Sequence, residues 1–193
     1  MARTRSSRRS RPPTPAPTGR RRLLIGSGIV VAGLAAAAAA LTLAGAFGSR
    51  TTVRTDRPAA PAAAFQTIDG RDLTLATEQG HPVALYFMAS WCSTCVPEAQ
   101  AWGQIARDGR APGLEVYVID VDPADSPQSL AAFRDGYVGG GLHWVFDAHQ
   151  TLTRAFTVAS LDTTVLIDAS GRIAFRNTVP MSVDQLREAL ATL

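Results

Sequence analysis

The chain of 193 residues has no lysine, two cysteines and few aromatic side chains, 7% of the total. Two cysteines exclude a small scaffold held together by several disulfides, and they exclude an all-cysteine zinc site, which takes four. The missing lysine leaves all positive side-chain charge on 19 arginines, against 16 aspartates and glutamates, for a net charge of +3. That sum hides a split. Residues 1–57 hold 11 Arg and one Asp, whereas residues 58–193 hold eight Arg and 15 acids. The basic pI thus belongs to the N-terminal segment. A nucleic-acid-binding domain carries its positive charge on a folded surface, so that class is disfavoured and no nucleic-acid partner is expected.

Residues 1–22 are rich in Arg, Ser, Thr and Pro without apolar periodicity, as in a disordered segment. From Leu23 to Phe47 no residue is charged. A helix of that length, rising about 1.5 Å per residue, crosses a hydrocarbon core of roughly 30 Å. Arginines crowd its N-terminal side, which puts residues 1–22 in the cytoplasm and everything after Phe47 outside it. The competing reading is a cleaved signal peptide ending near Ala44-Gly45-Ala46, although the apolar run is longer than such a segment needs. Either reading exports the rest of the chain. The absence of a Cys close behind the run excludes lipid attachment there. Residues 48–62 read as a linker, and a single domain is expected over residues 63–193.

Within that domain strands and helices alternate. Phe65–Ile68 and Leu73–Leu75 flank an Asp69-Gly70 turn and read as a short hairpin. Val83–Met88 is an unbroken apolar run of strand length, the pattern of a strand covered on both faces. A helix is expected from about Cys92 to Arg107, stopped by Gly109, followed by a second buried strand over Leu114–Val121. Ser126-Pro127 opens a helix that closes near Gly136. Short elements follow at Trp144–Phe146 (strand) and Thr151–Phe156 (helix), and then strands over Thr164–Ile167 and Arg172–Thr178. Ser182 with Gln185 forms a capping box for a last helix running to the C-terminus. This order predicts an α/β fold with helices on both faces of a central mixed sheet.

The only cysteines lie in Trp91-Cys92-Ser93-Thr94-Cys95, directly after a buried strand and at a predicted helix start. A helix N-terminus carries partial positive charge and free N–H groups, which stabilise a thiolate. Cys92 is then the exposed nucleophile, and Cys95 can reach back to close a disulfide. The bland alternative is a buried pair of small apolar side chains, or half of a metal site. His143 and His149 are spaced poorly for zinc ligation with these cysteines.

These residues resemble the thioredoxin superfamily, and within it the membrane-anchored TlpA/ResA-like thiol–disulfide oxidoreductases. The resemblance runs over about 130 residues. It rests on the order of the hairpin, the buried strand, the Trp-Cys-x-x-Cys, a Glu three residues after the second Cys, and Thr163-Thr164-Val165-Leu166-Ile167-Asp168-Ala169-Ser170-Gly171. It implies a thioredoxin fold with Cys92 attacking, Cys95 resolving and Glu98 exchanging protons with the pair. Trp91 would contact the partner, and Leu161, Asp162 and Thr163 would line the substrate site. Glu98 on an open helix surface and Trp91 packed in the core are the plainer alternatives.

Two positions depart from the family. Thioredoxins proper keep a buried Asp six residues before the first Cys, where this chain has Tyr86. The family also places a cis-proline just before the Thr-Thr strand, where this chain offers Leu161-Asp162. Without proline a cis bond costs about 3 kcal/mol more, so a trans peptide is expected. Asp162 either faces the cysteines, where it raises the Cys92 pKa and is able to complete a Cys-Cys-Asp metal site, or points to solvent.

The resemblance implies an extracytoplasmic enzyme that reduces disulfides of exported proteins, needs no cofactor, and draws electrons from a transmembrane donor protein. The alternative is a non-catalytic carrier of Cu(I) between Cys92 and Cys95, since thiolates favour that ion. A peroxidase of the related peroxiredoxin type is disfavoured because no Thr-x-x-Cys is present.

Overall fold

The computed structural model describes residues 57–109 and 111–193. The predicted anchor over 23–47 lies outside them. Among the described residues no helix is long and apolar enough to cross a membrane.

Five strands form one mixed sheet and two form a hairpin beside it. The hairpin joins β1 (Ala64–Gln66) to β2 (Asp72–Thr74). In the main sheet the spatial order is β5 (His143–Phe146), β4 (Glu115–Asp120), β3 (Val83–Met88), β6 (Thr163–Ile167) and β7 (Ile173–Asn177). β3, β4 and β5 run parallel, while β6 and β7 are antiparallel additions on the other side. Around the sheet lie α1 (Val96–Asp108), α2 (Pro127–Phe133), α3 (Thr151–Ala155) and α4 (Val183–Leu190).

β3 shows why its sequence reads as one apolar run. Successive side chains of a strand point to opposite faces. Ala84, Tyr86 and Met88 enter a core with Trp102 and Ile105 of α1, Leu130 and Phe133 of α2, and Leu186 of α4. Val83, Leu85 and Phe87 enter a second core with Leu152 of α3, Phe156 and the hairpin residue Leu75. All six β3 residues are buried. Three helix ends follow their local chemistry. α1 stops at Gly109, whose φ of 59° is left-handed. Ser126 Oγ accepts from Ser129 N–H at the start of α2, and the capping box of Ser182 and Gln185 opens α4.

The elements depart from the sequence expectations at four places. A 3₁₀ turn over Ser93–Cys95 precedes α1, which begins at Val96 rather than near Cys92, with Pro97 in its first turn. α2 ends at Phe133 and gives way to a π turn over Arg134–Val138, so Gly136 lies inside that turn. The last helix stops at Leu190, short of the C-terminus. Residues 57–62, read as the end of a linker, are bound to the domain. Arg57 pairs with Asp168 at 3.1 Å and donates to the Thr192 carbonyl, while Ala60 N–H donates to Gly171 O and Ile173 N–H to Pro58 O.

Candidate active site

Cys92 and Cys95 form a disulfide in the turn that leads from β3 into α1. β3 ends at Met88, and Cys92 N–H donates to Ala89 O, which closes the chain back on itself. Cys95 N–H then donates to Cys92 O, and α1 begins one residue later. The pair therefore sits at the positive end of α1. Thr94 Oγ1 lies 3.3 Å from Cys92 Sγ. Cys92 is less open than the sequence suggests. Only 5% of it is accessible, and Cys95 is fully buried. Asp162 and Tyr86 lie beside the pair.

Asp162 turns inward. It has 7% exposure and a φ of 57°, a left-handed conformation that Asp tolerates better than most residues at a cost of about 1 kcal/mol. A carboxylate oxygen of Asp162 and both cysteine sulfurs lie within 4.8 Å of one another. The solvent-facing alternative therefore does not hold. No peptide bond among the described residues is cis. Tyr86 takes the position of the family's buried acid and reaches across to the replacement. Its hydroxyl is 2.7 Å from Asp162 Oδ1 and 3.1 Å from Cys95 O, and it has one proton for the two acceptors. Burial and the bond to Asp162 push the Tyr86 hydroxyl far above the usual phenol range, so it keeps its proton and donates it.

Glu98 is not on an open helix surface. It is completely buried, one helical turn after Cys95. Thr164 Oγ1 donates to Oε1 at 2.7 Å and Met181 N–H to Oε2 at 2.8 Å. Burial raises its pKa to about 7, and the Asp162 carboxylate pushes the same way, while those two hydrogen bonds hold it down. A carboxyl poised there gains or loses a proton with little driving force. Sequence reading missed Thr164 and Met181 as its partners. The Thr163-Thr164 pair opening a buried strand was the available signal, because a buried hydroxyl needs an acceptor.

Trp91 is 64% exposed beside the disulfide, so core packing does not explain it. Its Nε1–H donates to Asp122 Oδ2 at 2.7 Å. Below it, Ser90 N–H is shared between Asp120 Oδ2 and Asp125 Oδ2, each at 3.2 Å. Burial drives the Asp120 pKa to about 7, and the adjacent Asp125 carboxylate adds to the rise. These acids, at the end of β4 and in the loop after it, hold the Ser90 N–H and the Trp91 indole. Nothing in the spacing of the sequence connects them to the cysteines.

The remaining candidates separate. Leu161 is half-buried against the core, and Thr163 is fully buried with its hydroxyl donating to Ser160 O at 2.7 Å. Thr163 thus offers a substrate no side chain. Trp102 and Trp144 are core residues. His143 pairs with Glu115 at 2.7 Å, and among the described residues neither His143 nor His149 joins a cluster of metal-ligating side chains.

The chain is similar to known proteins in sequence and in fold. The chain is 32% identical over 121 residues to "Mercury resistance operon ORF3" of Streptomyces lividans, covering 62% of this chain and 64% of that relative's length. It is 27% identical to "Sporulation thiol-disulfide oxidoreductase A" of Bacillus subtilis, over 68% of this chain and 80% of the relative. With "Thiol-disulfide oxidoreductase ResA" of Geobacillus thermodenitrificans it shares 24% identity over 69% of this chain and 75% of the relative. Among solved structures, "MTB dsbF in its mixed oxidized and reduced forms" superposes with a TM-score of 0.64 at 25% identity, covering 71% of this chain and 99% of that one. The family model described as AhpC/TSA matches residues 57–176. The chain therefore belongs to the thioredoxin-like AhpC/TSA family, and its relatives in that family include named thiol–disulfide oxidoreductases.

Proposed function

We propose that this chain is a thiol–disulfide oxidoreductase that works outside the cytoplasmic membrane and reduces disulfides of exported proteins. The observation that carries the reading is the Cys92–Cys95 disulfide at the N-terminal end of α1, with the buried Glu98 carboxyl one turn behind it. The two oxidoreductases named above match across the same segment, which favours this reading over a non-catalytic copper carrier. A peroxidase is disfavoured because Ala89 stands three residues before Cys92, where that chemistry uses Thr.

In the reduced enzyme the Cys92 thiolate attacks a substrate sulfur, the substrate S–S bond breaks, and one substrate thiolate leaves and takes a proton. Cys95 gives up its proton, to Glu98 or to solvent, and attacks Cys92 Sγ. The mixed disulfide breaks, the second substrate thiol departs, and Cys92–Cys95 is oxidised while the substrate has gained two electrons. Trp91 supplies an exposed apolar face at the point of attack, anchored by Asp122. Asp162 lies against the sulfurs, and the Leu161–Asp162 backbone borders the site.

The acids also bear on direction. A carboxylate near a thiolate disfavours the reduced, ionised pair, which makes the disulfide the preferred state and the dithiol a stronger reductant. The charge-free run from Leu23 to Phe47, with arginines before it, supports a membrane anchor with the domain outside. A domain so placed draws its electrons from a membrane protein that carries a dithiol across.

The test is exchange with a protein disulfide and the potential of the pair. Cys92→Ser abolishes exchange, and Cys95→Ser accumulates the mixed disulfide. A potential near or below about −250 mV supports reduction, whereas one near −120 mV overturns that direction. Exchange that survives Cys92→Ser overturns the catalytic reading.

A further inference from the structure

The two sulfurs and the Asp162 carboxylate converge on one point, with ligand atoms mutually within 4.8 Å. All three residues are buried. We propose that the reduced Cys92–Cys95 pair, together with Asp162, forms a binding site for a divalent ion of the zinc class, which closes the active site until the ion leaves. The inference concerns the dithiol state of the cycle proposed above and so rests on that state being reached.

The donor set decides the ion. Two thiolates and one carboxylate are three of the four positions of a tetrahedral zinc site, with bonds of about 2.3 Å to sulfur and 2.0–2.2 Å to oxygen. Ligands on one such ion stand ~3.5–4 Å apart, which these atoms reach by small side-chain rotations once the S–S bond is opened. The fourth position stays open to water or a small anion. An oxygen among the ligands fits Zn²⁺ better than Cu(I), which prefers soft donors throughout.

Tyr86 supplies the supporting contact that ligating carboxylates ordinarily have. Its hydroxyl donates to Asp162 Oδ1 and fixes the carboxylate orientation, while among the described residues no side chain or backbone group donates to Oδ2. Asp162 has a left-handed backbone, with φ of 57°, and its side chain is buried.

Binding is balanced without electron transfer. Each thiol that ligates passes its proton to solvent, so up to two protons leave and the sulfur oxidation state is unchanged. The disulfide form has no thiolate to offer and takes no ion. The oxidised enzyme is thus metal-free, and the reduced enzyme is masked by the ion against both substrate and further oxidation.

The test uses the full chain in detergent, reduced anaerobically with a phosphine and titrated with Co²⁺ and then Zn²⁺. One Co²⁺ per reduced chain, with cobalt–thiolate charge-transfer absorption and the d–d intensity of a four-coordinate ion, is expected, and none in the oxidised chain. Asp162→Ala lowers Zn²⁺ affinity at least about tenfold, and Tyr86→Phe lowers it less. Asp162→Cys, which offers a third sulfur, tightens binding and strengthens the charge-transfer band. Failure of the reduced chain to bind either ion overturns the proposal, as do wild-type affinities in both Asp162→Ala and Asp162→Cys. Disulfide exchange assayed without metal reports on the catalytic reading separately, so the two fail independently.

Discussion

The phenol of Tyr86, in the middle of β3, donates a 2.7 Å hydrogen bond to Asp162 in the loop before β6. The two residues depart from the thioredoxin pattern together. β3 carries Tyr86 where thioredoxins proper carry a buried acid, and the opposite loop places Asp162 near the pair of sulfurs. Asp162 is held from behind by a hydroxyl that keeps its proton.

That arrangement sets the redox poise. Asp162→Asn removes a carboxylate from beside the thiolates and stabilises the reduced pair, so the potential moves upward by about 30 mV for each tenfold change in the equilibrium. Glutathione equilibration with thiol alkylation measures it. A potential that stays put or falls would sink the role given to Asp162.

Glu98 should leave its mark on the pH profile. With a pKa of about 7, its protonation changes in the middle of the working range, and the rate of protein-disulfide reduction carries an inflection there. Glu98→Gln removes the inflection and slows exchange on the order of a hundredfold. Thr164→Val leaves Glu98 with one donor fewer for its charged form and displaces the inflection to higher pH.

Asp120 titrates near the same pH, and its effect is read in stability. Its folded-state pKa of about 7 stands above the ordinary 3.8, so the folded state binds the proton more tightly. The stability it contributes is complete below about pH 4 and is lost as pH rises through 7. Asp120→Asn does not titrate. Denaturant unfolding of the oxidised protein should show the variant gaining on the wild type between pH 5 and 8, by on the order of 3 kcal/mol at most. A difference independent of pH would count against the raised pKa of Asp120.

Trp91 separates recognition from folding. An exposed side chain held by one hydrogen bond contributes little to stability, and Trp91→Ala is expected within about 0.5 kcal/mol of the wild type. Reduction of a protein disulfide should fall about tenfold, a loss of roughly 1.4 kcal/mol in partner contact, whereas exchange with a small disulfide changes little. Equal losses on both substrates would remove Trp91 from the partner interface.

The framework was legible in the sequence because it follows local rules. The Val83–Met88 run, the Ser126 and Ser182 caps and the Gly109 stop each depend on a few adjacent residues, and each appears where those residues require. The site was legible only in part. Cys92 and Cys95 declare themselves by spacing. The burial of Glu98 depends on how α1 sits against β6 and the Met181 segment, which its helical position alone does not determine. Asp162 depends on one backbone angle, and Asp120 on the pairing of β4 with β3, which sets Asp120 opposite Met88 at the head of the Cys loop.

Arg57 bonds to Asp168 and to the Thr192 carbonyl, and Asp168 directly follows Ile167, the β6 residue opposite Val83. Cys92 lies beyond the other end of β3, some 20 Å away along a six-residue strand. The chain thus enters the domain at a mooring on one end of the sheet, while the reactive disulfide occupies the outboard end. A pull on the upstream chain loads the Arg57 clasp and the edge of β7, and the cysteine turn lies outside that line of force.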